Sequence, residues 1–203
     1  KIENMFRDCG SFNSAVTIAS STSSLKNTFN NCAIFNQSIA HWPVSTVESF
    51  EGMFEDAKAF NQPLDNLNGT TAKQFGSMFD GAEAFNQDIS GWGIENAQNL
   101  GRMFQNAKAF NQDISSWSTL DVTNMRQTFA NATVFNQDLS SWCVLNFEEM
   151  PYEFDEDSGF QGNEALQPQW GEAEACDLSI KKFIKLQFDD KGKYDITIQV
   201  DNS

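Results

Sequence analysis

Three aspartates, Asp88, Asp113 and Asp138, recur at one fixed interval, and each stands two positions before a serine: Ser90, Ser115 and Ser140. Carboxylates at a fixed repeat are the ligand type that Ca²⁺ takes. If successive copies of the surrounding segment lie on one another, an ion would bridge neighbouring carboxylates and carbonyls. The plainer alternative is that each carboxylate accepts from a backbone N–H or serine hydroxyl in a tight turn and faces water. Like charges directly opposite on neighbouring strands repel, so one of the two must offset the repulsion. Copies with Ser38 and Pro63 in this column lack the acid.

Two amide columns run beside it, Asn86, Asn111 and Asn136, and Gln87, Gln112 and Gln137. Stacked identical amides hydrogen-bond up a ladder, whereas a column turned outward makes a flat polar ribbon suited to a glycan or another molecule. The acidic cluster Asp155, Glu156, Asp157 and Glu164 reads as a solvated cap or a loose cation site. His41, the sole histidine, has no companion ligand or carboxylate pair nearby in sequence. No Gly-rich phosphate loop and no nucleophile elbow is present. The chain is expected to be non-catalytic and to need no cofactor beyond that Ca²⁺ alternative.

Four cysteines bear on compartment. Cys9 and Cys32 each lie three residues before a phenylalanine, in the column held elsewhere by Ala57, Ala82, Ala107 and Ala132. Stacked neighbours about 4.8 Å apart fall inside the range of about 4.4–6.8 Å between Cα atoms that a disulfide accepts. A Cys9–Cys32 bridge is therefore expected, contributing about 3 kcal/mol in the loop-entropy account; Cys143 and Cys176 then pair by elimination, and four free thiols are the alternative. Three sequons, at Asn36, Asn68 and Asn131, agree with a secretory route. Asn36 belongs to the repeating amide column, so Asn68 and Asn131 are the expected glycosylation sites.

What positions all of these is a repeat. Phe-Asn-Gln occurs at 35, 60, 85, 110 and 135 with a strict 25-residue period, and 14 of the 19 phenylalanines fall in two columns, one through Phe54 and Phe79, the other through Phe60 and Phe85. Trp42, Trp92, Trp117 and Trp142 form a third column. A fixed period of this size is the mark of a solenoid whose units bury their apolar faces only on one another. Val47, Phe50, Phe54 and Ala57 follow a helical spacing, which predicts a short helix over 46–56 capped by Ser45 or Thr46. The Phe-Asn-Gln-Asp-Ile-Ser segment predicts a short strand. The expected fold is an α/β repeat solenoid, leucine-rich-repeat-like, with one strand and one helix per 25-residue coil: about six coils over residues 1–165, the first and last irregular. Residues 172–203 alternate apolar and polar around Asp189-Asp190-Lys191-Gly192 and predict a β-hairpin, either a cap on the last coil or the start of a further domain. The irregular first coil and the absence of an initiator Met suggest that Lys1 is not the natural start.

The strings Met103-Phe104, Phe110-Asn111-Gln112-Asp113-Ile114-Ser115-Ser116-Trp117 and Val122-Thr123-Asn124-Met125 resemble the 25- to 26-residue surface-protein repeat of mycoplasma, bacterial surface lipoproteins and microalgal proteins, a relative of BspA-type leucine-rich repeats. The resemblance implies a surface or extracellular solenoid with adhesive or scaffolding roles. Pro63-Leu64-Asp65-Asn66-Leu67, the first coil and the hairpin depart from it.

A net charge of -15 over 203 residues repels nucleic acid and anionic lipid. No apolar run approaches the ~18 residues of a membrane span. The expectation is an extracellular or cell-surface structural, adhesive or protein-interaction scaffold. Its partners would be other surface proteins or itself. The alternatives are a carbohydrate-binding module using the Asn, Gln and Asp columns, with Ca²⁺ assisting, and filament growth through a weakly capped C-terminal coil.

Overall fold

The computed structural model describes residues 1–67 and 71–171, together with the backbone of 184–188 and 194–198. Successive units lie on one another in register, with isolated parallel bridges running Ser24 to Ser49 to Gln74 to Asn99 to Asn124. Like residues thereby become vertical neighbours. Phe54, Phe79, Phe104 and Phe129 stack nearly parallel with ring centroids 5.8, 5.8 and 5.6 Å apart, and Phe85 lies 6.0 Å from Phe110 in the second column. Within a coil the two columns meet face to face, Phe54 on Phe60 at 3.8 Å and Phe79 on Phe85 at 3.9 Å. Trp92, Trp117 and Trp142 continue the pattern at 6.3 and 6.2 Å. Burying each such ring is worth about 1.5–3 kcal/mol, and its stacking adds about 0.5–1.5 kcal/mol per pair.

The coil is not a strand and a helix, and the α/β solenoid expected from the sequence is corrected here. Among the described residues the coils contain no α-helix, only 3-10 turns at Asp65–Leu67 and Glu164–Leu166. Residues 50–57, expected to be the end of a helix, form three linked turns in which Met53 N–H donates to Phe50 O, Glu55 N–H to Gly52 O and Ala57 N–H to Phe54 O. The intervening amides leave the coil altogether: Phe50, Gly52, Phe54 and Asp56 donate to the carbonyls of Gln74, Gly76, Met78 and Asp80 at 2.7–3.0 Å. An α-helix would return each N–H to the carbonyl four residues before. Two left-handed residues per coil, four apart, forbid that: Asn27 and Asn31, Gly52 and Asp56, Ser77 and Gly81, Arg102 and Asn106, Gln127 and Asn131 all have positive φ. Gly, Asn and Asp supply most of these positions because they reach that region at least cost. Turns closing every few residues give the inward spacing of Phe50, Phe54 and Ala57 that mimics a helical period.

The expected strand is replaced for a second reason. In the Phe-Asn-Gln segment the acceptor for the next coil is a side chain. Asn86 N–H donates to Asn61 Oδ1 at 3.0 Å, Asn111 N–H to Asn86 Oδ1 and Asn136 N–H to Asn111 Oδ1, each at 2.9 Å. No ladder of backbone pairs forms where side chains take the carbonyls' place.

The phenylalanine pairs count seven coils rather than about six, and the seventh, that of Phe154 and Phe160, breaks register. Positive-φ residues run Arg102, Gln127 and then Glu153, and Asn106, Asn131 and then Asp157, so the last step is longer than its predecessor by a single residue. Phe129 N–H consequently donates to Phe154 O, whereas Phe104 N–H donates to Thr128 O. Phe154 and Phe160 enter one residue out of line and turn edge-on, at 84° to Phe129 and 76° to Phe135. Trp170 packs edge-on against Phe154 and Phe147. Beyond it, β1 (Ile184–Phe188) and β2 (Tyr194–Ile198) pair antiparallel, Leu186 opposite Ile196, which is the expected hairpin. None of the helices described is long and apolar enough to cross a membrane.

Candidate functional site

The amide columns are consumed by the stack. Each Asn Oδ1 accepts two bonds from the coil above: Asn61 from Asn86 N–H and from Gln87 Nε2 at 2.9 Å, Asn86 from Asn111 N–H and from Gln112 Nε2 at 2.8 Å, Asn111 from Asn136 N–H and from Gln137 Nε2 at 2.9 Å. Asn36 and Asn13 begin the same ladder. Both columns named as binding candidates are therefore engaged between coils. At the upper end Gln161-Gly162 replaces Asn-Gln.

The aspartates adopt the plainer of their two arrangements. Ser90, Ser115 and Ser140 each donate a backbone N–H at 2.9 Å to Asp88, Asp113 and Asp138 Oδ1. Hydrogen bonds from these serines hold all three carboxyls below the ordinary carboxylate range. They stand exposed, one per coil, and among the described residues no three His, Cys, Asp or Glu side chains gather as a metal group.

Cys9 and Cys32 are free thiols, which corrects the expected bridge. Cys9 is exposed, while buried Cys32 donates its Sγ–H to Phe6 O at 2.8 Å. Burial pushes that thiol up to about 11. Coil spacing alone brought the two positions together, but the Cys32 side chain has an internal acceptor. Cys143 is a half-cystine, and Cys176 lies outside the described residues. Of the sequons, Asn68 also lies outside them. Asn131 is half-buried in a left-handed turn position, its N–H donating to Glu156 O at 2.7 Å.

Sequence reasoning missed a polar seam in the column of Asn30, Glu55, Asp80 and Gln105. Asn30 Nδ2 donates to Glu55 Oε2 at 2.7 Å; Asp80, buried, accepts from Arg102 Nη2 at 2.7 Å and from Asn106 Nδ2 at 3.1 Å. Burial nonetheless raises both carboxyls, outweighing the pull of Arg102 on Asp80. The signal was an acid recurring one residue after Phe54 and Phe79. The terminal acidic cluster divides: Asp155 is buried and accepts from Gln167 Nε2 at 2.7 Å, while Glu156, Asp157 and Glu164 are exposed. A cleft of about 540 Å³ beside this coil is lined by Met150, Asp155, Glu164, Gln167 and Trp170 among others. His41 Nε2 sits 3.0 Å from Val16 O on the exposed surface.

Two overlapping stretches, residues 1–106 and 71–170, match one family, described as Mycoplasma protein of unknown function, DUF285. The match supports a repeat family and does not extend to the BspA type. No curated protein and no solved structure matches the chain.

Proposed function

This chain belongs to the DUF285 family, and on that premise we propose that it is a non-catalytic scaffold of the cell surface or extracellular space, working through contacts with other proteins. The observation that carries the reading is that the side chains best suited to chemistry serve the stack. Asn Oδ1 atoms hold the next coil, Gln amides clamp the same oxygens, and Asp carboxylates close turns. What remains outside is a regular, acidic surface. The half-cystine at Cys143 supports an oxidising compartment.

Protease treatment of intact cells that express the natural protein tests the location. Loss of the chain is expected; survival until the cells are lysed would overturn it. A glycan array probed with and without chelator tests the carbohydrate alternative. No binding is expected, since the Asn61, Asn86 and Asn111 side-chain oxygens and the Gln amide nitrogens are bonded between coils; a Ca²⁺-dependent hit would replace the scaffold reading.

A further inference from the structure

The cleft of about 540 Å³ beside the seventh coil joins carboxylates to buried polar groups that lack partners. Asp155 is 5% exposed; one of its oxygens accepts from Gln167 Nε2 at 2.7 Å, and Oδ1 has no partner among the described residues. Gln167, 7% exposed, gives its amide nitrogen to that bond, so its Oε1 is left as a buried acceptor with nothing to accept. Trp170 Nε1 is a buried donor in the same condition. Among the described residues four buried side-chain polar atoms lack a partner, and two of them belong to this one cleft. An unpartnered buried polar atom costs about 1–3 kcal/mol, and a ligand to which these side chains turn recovers part of that. Met150, Pro168 and Trp170 supply apolar wall, and exposed Glu164 adds a second carboxylate.

We propose that this cleft receives an arginine side chain carried on a peptide segment of a partner protein. This rests on the scaffold reading and names the partner's chemistry. Charge selects a cation: residues 127–171 hold eight acids and no Lys or Arg, and Arg126 lies over the Tyr152 ring at 4.6 Å. Among the described residues no three His, Cys, Asp or Glu side chains gather for a metal, and an organic cation needs no such set. A guanidinium is planar, permanently charged and donor only, so its fork bonds Asp155 Oδ1 and Gln167 Oε1 together while its face lies on an aromatic wall. The ammonium of lysine is more strongly hydrated and has no fork. A neighbouring peptide carbonyl supplies the acceptor that Trp170 Nε1 lacks, which a small guanidinium compound does not. The surrounding acids draw a basic segment in.

Calorimetric titration of the 203-residue chain tests this at about 0.15 M salt, where screening over about 8 Å suppresses distant charges. The probe is a blocked pentapeptide of glycine and alanine with one central arginine. Saturable one-to-one binding is expected with a dissociation constant below about 1 mM. The lysine peptide binds at least about fivefold more weakly, methylguanidinium at least about tenfold, and the norleucine peptide not at all. Asp155→Asn, which keeps an acceptor for Gln167, weakens binding at least about tenfold, with the near-ultraviolet tryptophan signal unchanged. Glu164→Gln, at an exposed position that any fold tolerates, weakens it about threefold. Glu156→Gln, an exposed acid that does not line the cleft, leaves it unchanged. No saturation, equal binding of the lysine or norleucine peptide or of methylguanidinium, indifference to Glu164→Gln, or an equal loss on Glu156→Gln would each overturn the proposal. Surface location is read separately by protease shaving, so the failure of one does not imply failure of the other.

Discussion

The second to sixth coils and the seventh use the same aromatic columns to opposite ends. In the former, phenylalanines one period apart lie parallel and hand the surface on to the next coil; in the latter, one extra residue turns Phe154 and Phe160 across Phe129 and Phe135, and the surface stops. A repeat protein needs a cap, and here the cap is made from the repeat by a slip of register rather than from a different sequence. The comparison also shows what the period encodes. It sets the height of each ring, while the turns set its direction.

The largest expected effect sharpens that contrast. Phe85→Ala, between two parallel neighbours, should cost about 3–5 kcal/mol in chemical denaturation, because the cavity is walled on both sides. Phe160→Ala should fall at or below the low end of that range, since among the described residues no further coil lies on its far side to hold it rigid. Equal losses would mean that the seventh coil is as tightly bound into the stack as the others.

Next come the left-handed glycines. A Cβ at Gly52 would run into Asn27 Oδ1, whereas one at Gly162 meets nothing within 4 Å. Gly162→Ala should cost about 1 kcal/mol, the strain of the left-handed backbone alone; Gly52→Ala should cost more, since its turn lies against the preceding coil. Thermal or urea unfolding of the two variants orders them.

Asn111→Ala removes the acceptor of Asn136 N–H and one of the two acceptors of Gln137 Nε2, which keeps Asn111 O, and should cost about 1–3 kcal/mol for the N–H left without a partner. Asn136→Ala, at the top of the ladder, keeps its own N–H bond and should cost less than half as much. Comparable costs would show the ladder continuing into the seventh coil.

Much of this was legible in the chain and some was not. The columns, the core and the stacking of Phe85 on Phe110 follow from the 25-residue period because a coil has nowhere else to bury its rings. The helix over 46–56 was misread because linked turns and a helix share an inward spacing. The difference lay in Gly52 and Asp56, four apart and both suited to positive φ. The Asn column was legible as a ladder, but not that its oxygen would stand in for a backbone carbonyl. The Cys9–Cys32 bridge failed because spacing fixes where a Cα lies and not where a thiol points. The slip before the seventh coil was hidden, since Phe154 and Phe160 keep the period in sequence while the backbone does not.

The smallest effect is on pH. Burial raises Glu55 and Asp80 above their ordinary 4.5 and 3.8, so their neutral forms are favoured by the fold. Acidification from neutrality toward those values should therefore stabilise the third and fourth coils, which hold them, and Glu55→Gln with Asp80→Asn should flatten that rise. The turn aspartates act in reverse: lowered in the folded chain, they give support that is lost as pH falls below about 3.8. A stability profile without the intermediate rise would contradict the first part.

The central claim is that alternate amides of the turn segment bond to the next coil instead of along a helix. Scalar coupling across hydrogen bonds, measured by nuclear magnetic resonance on the labelled chain, reads this at single atoms. The account predicts coupling from Phe54 N to the carbonyl carbon of Met78, matching their 3.0 Å contact; coupling from Phe54 N to the carbonyl carbon of Phe50 would contradict it.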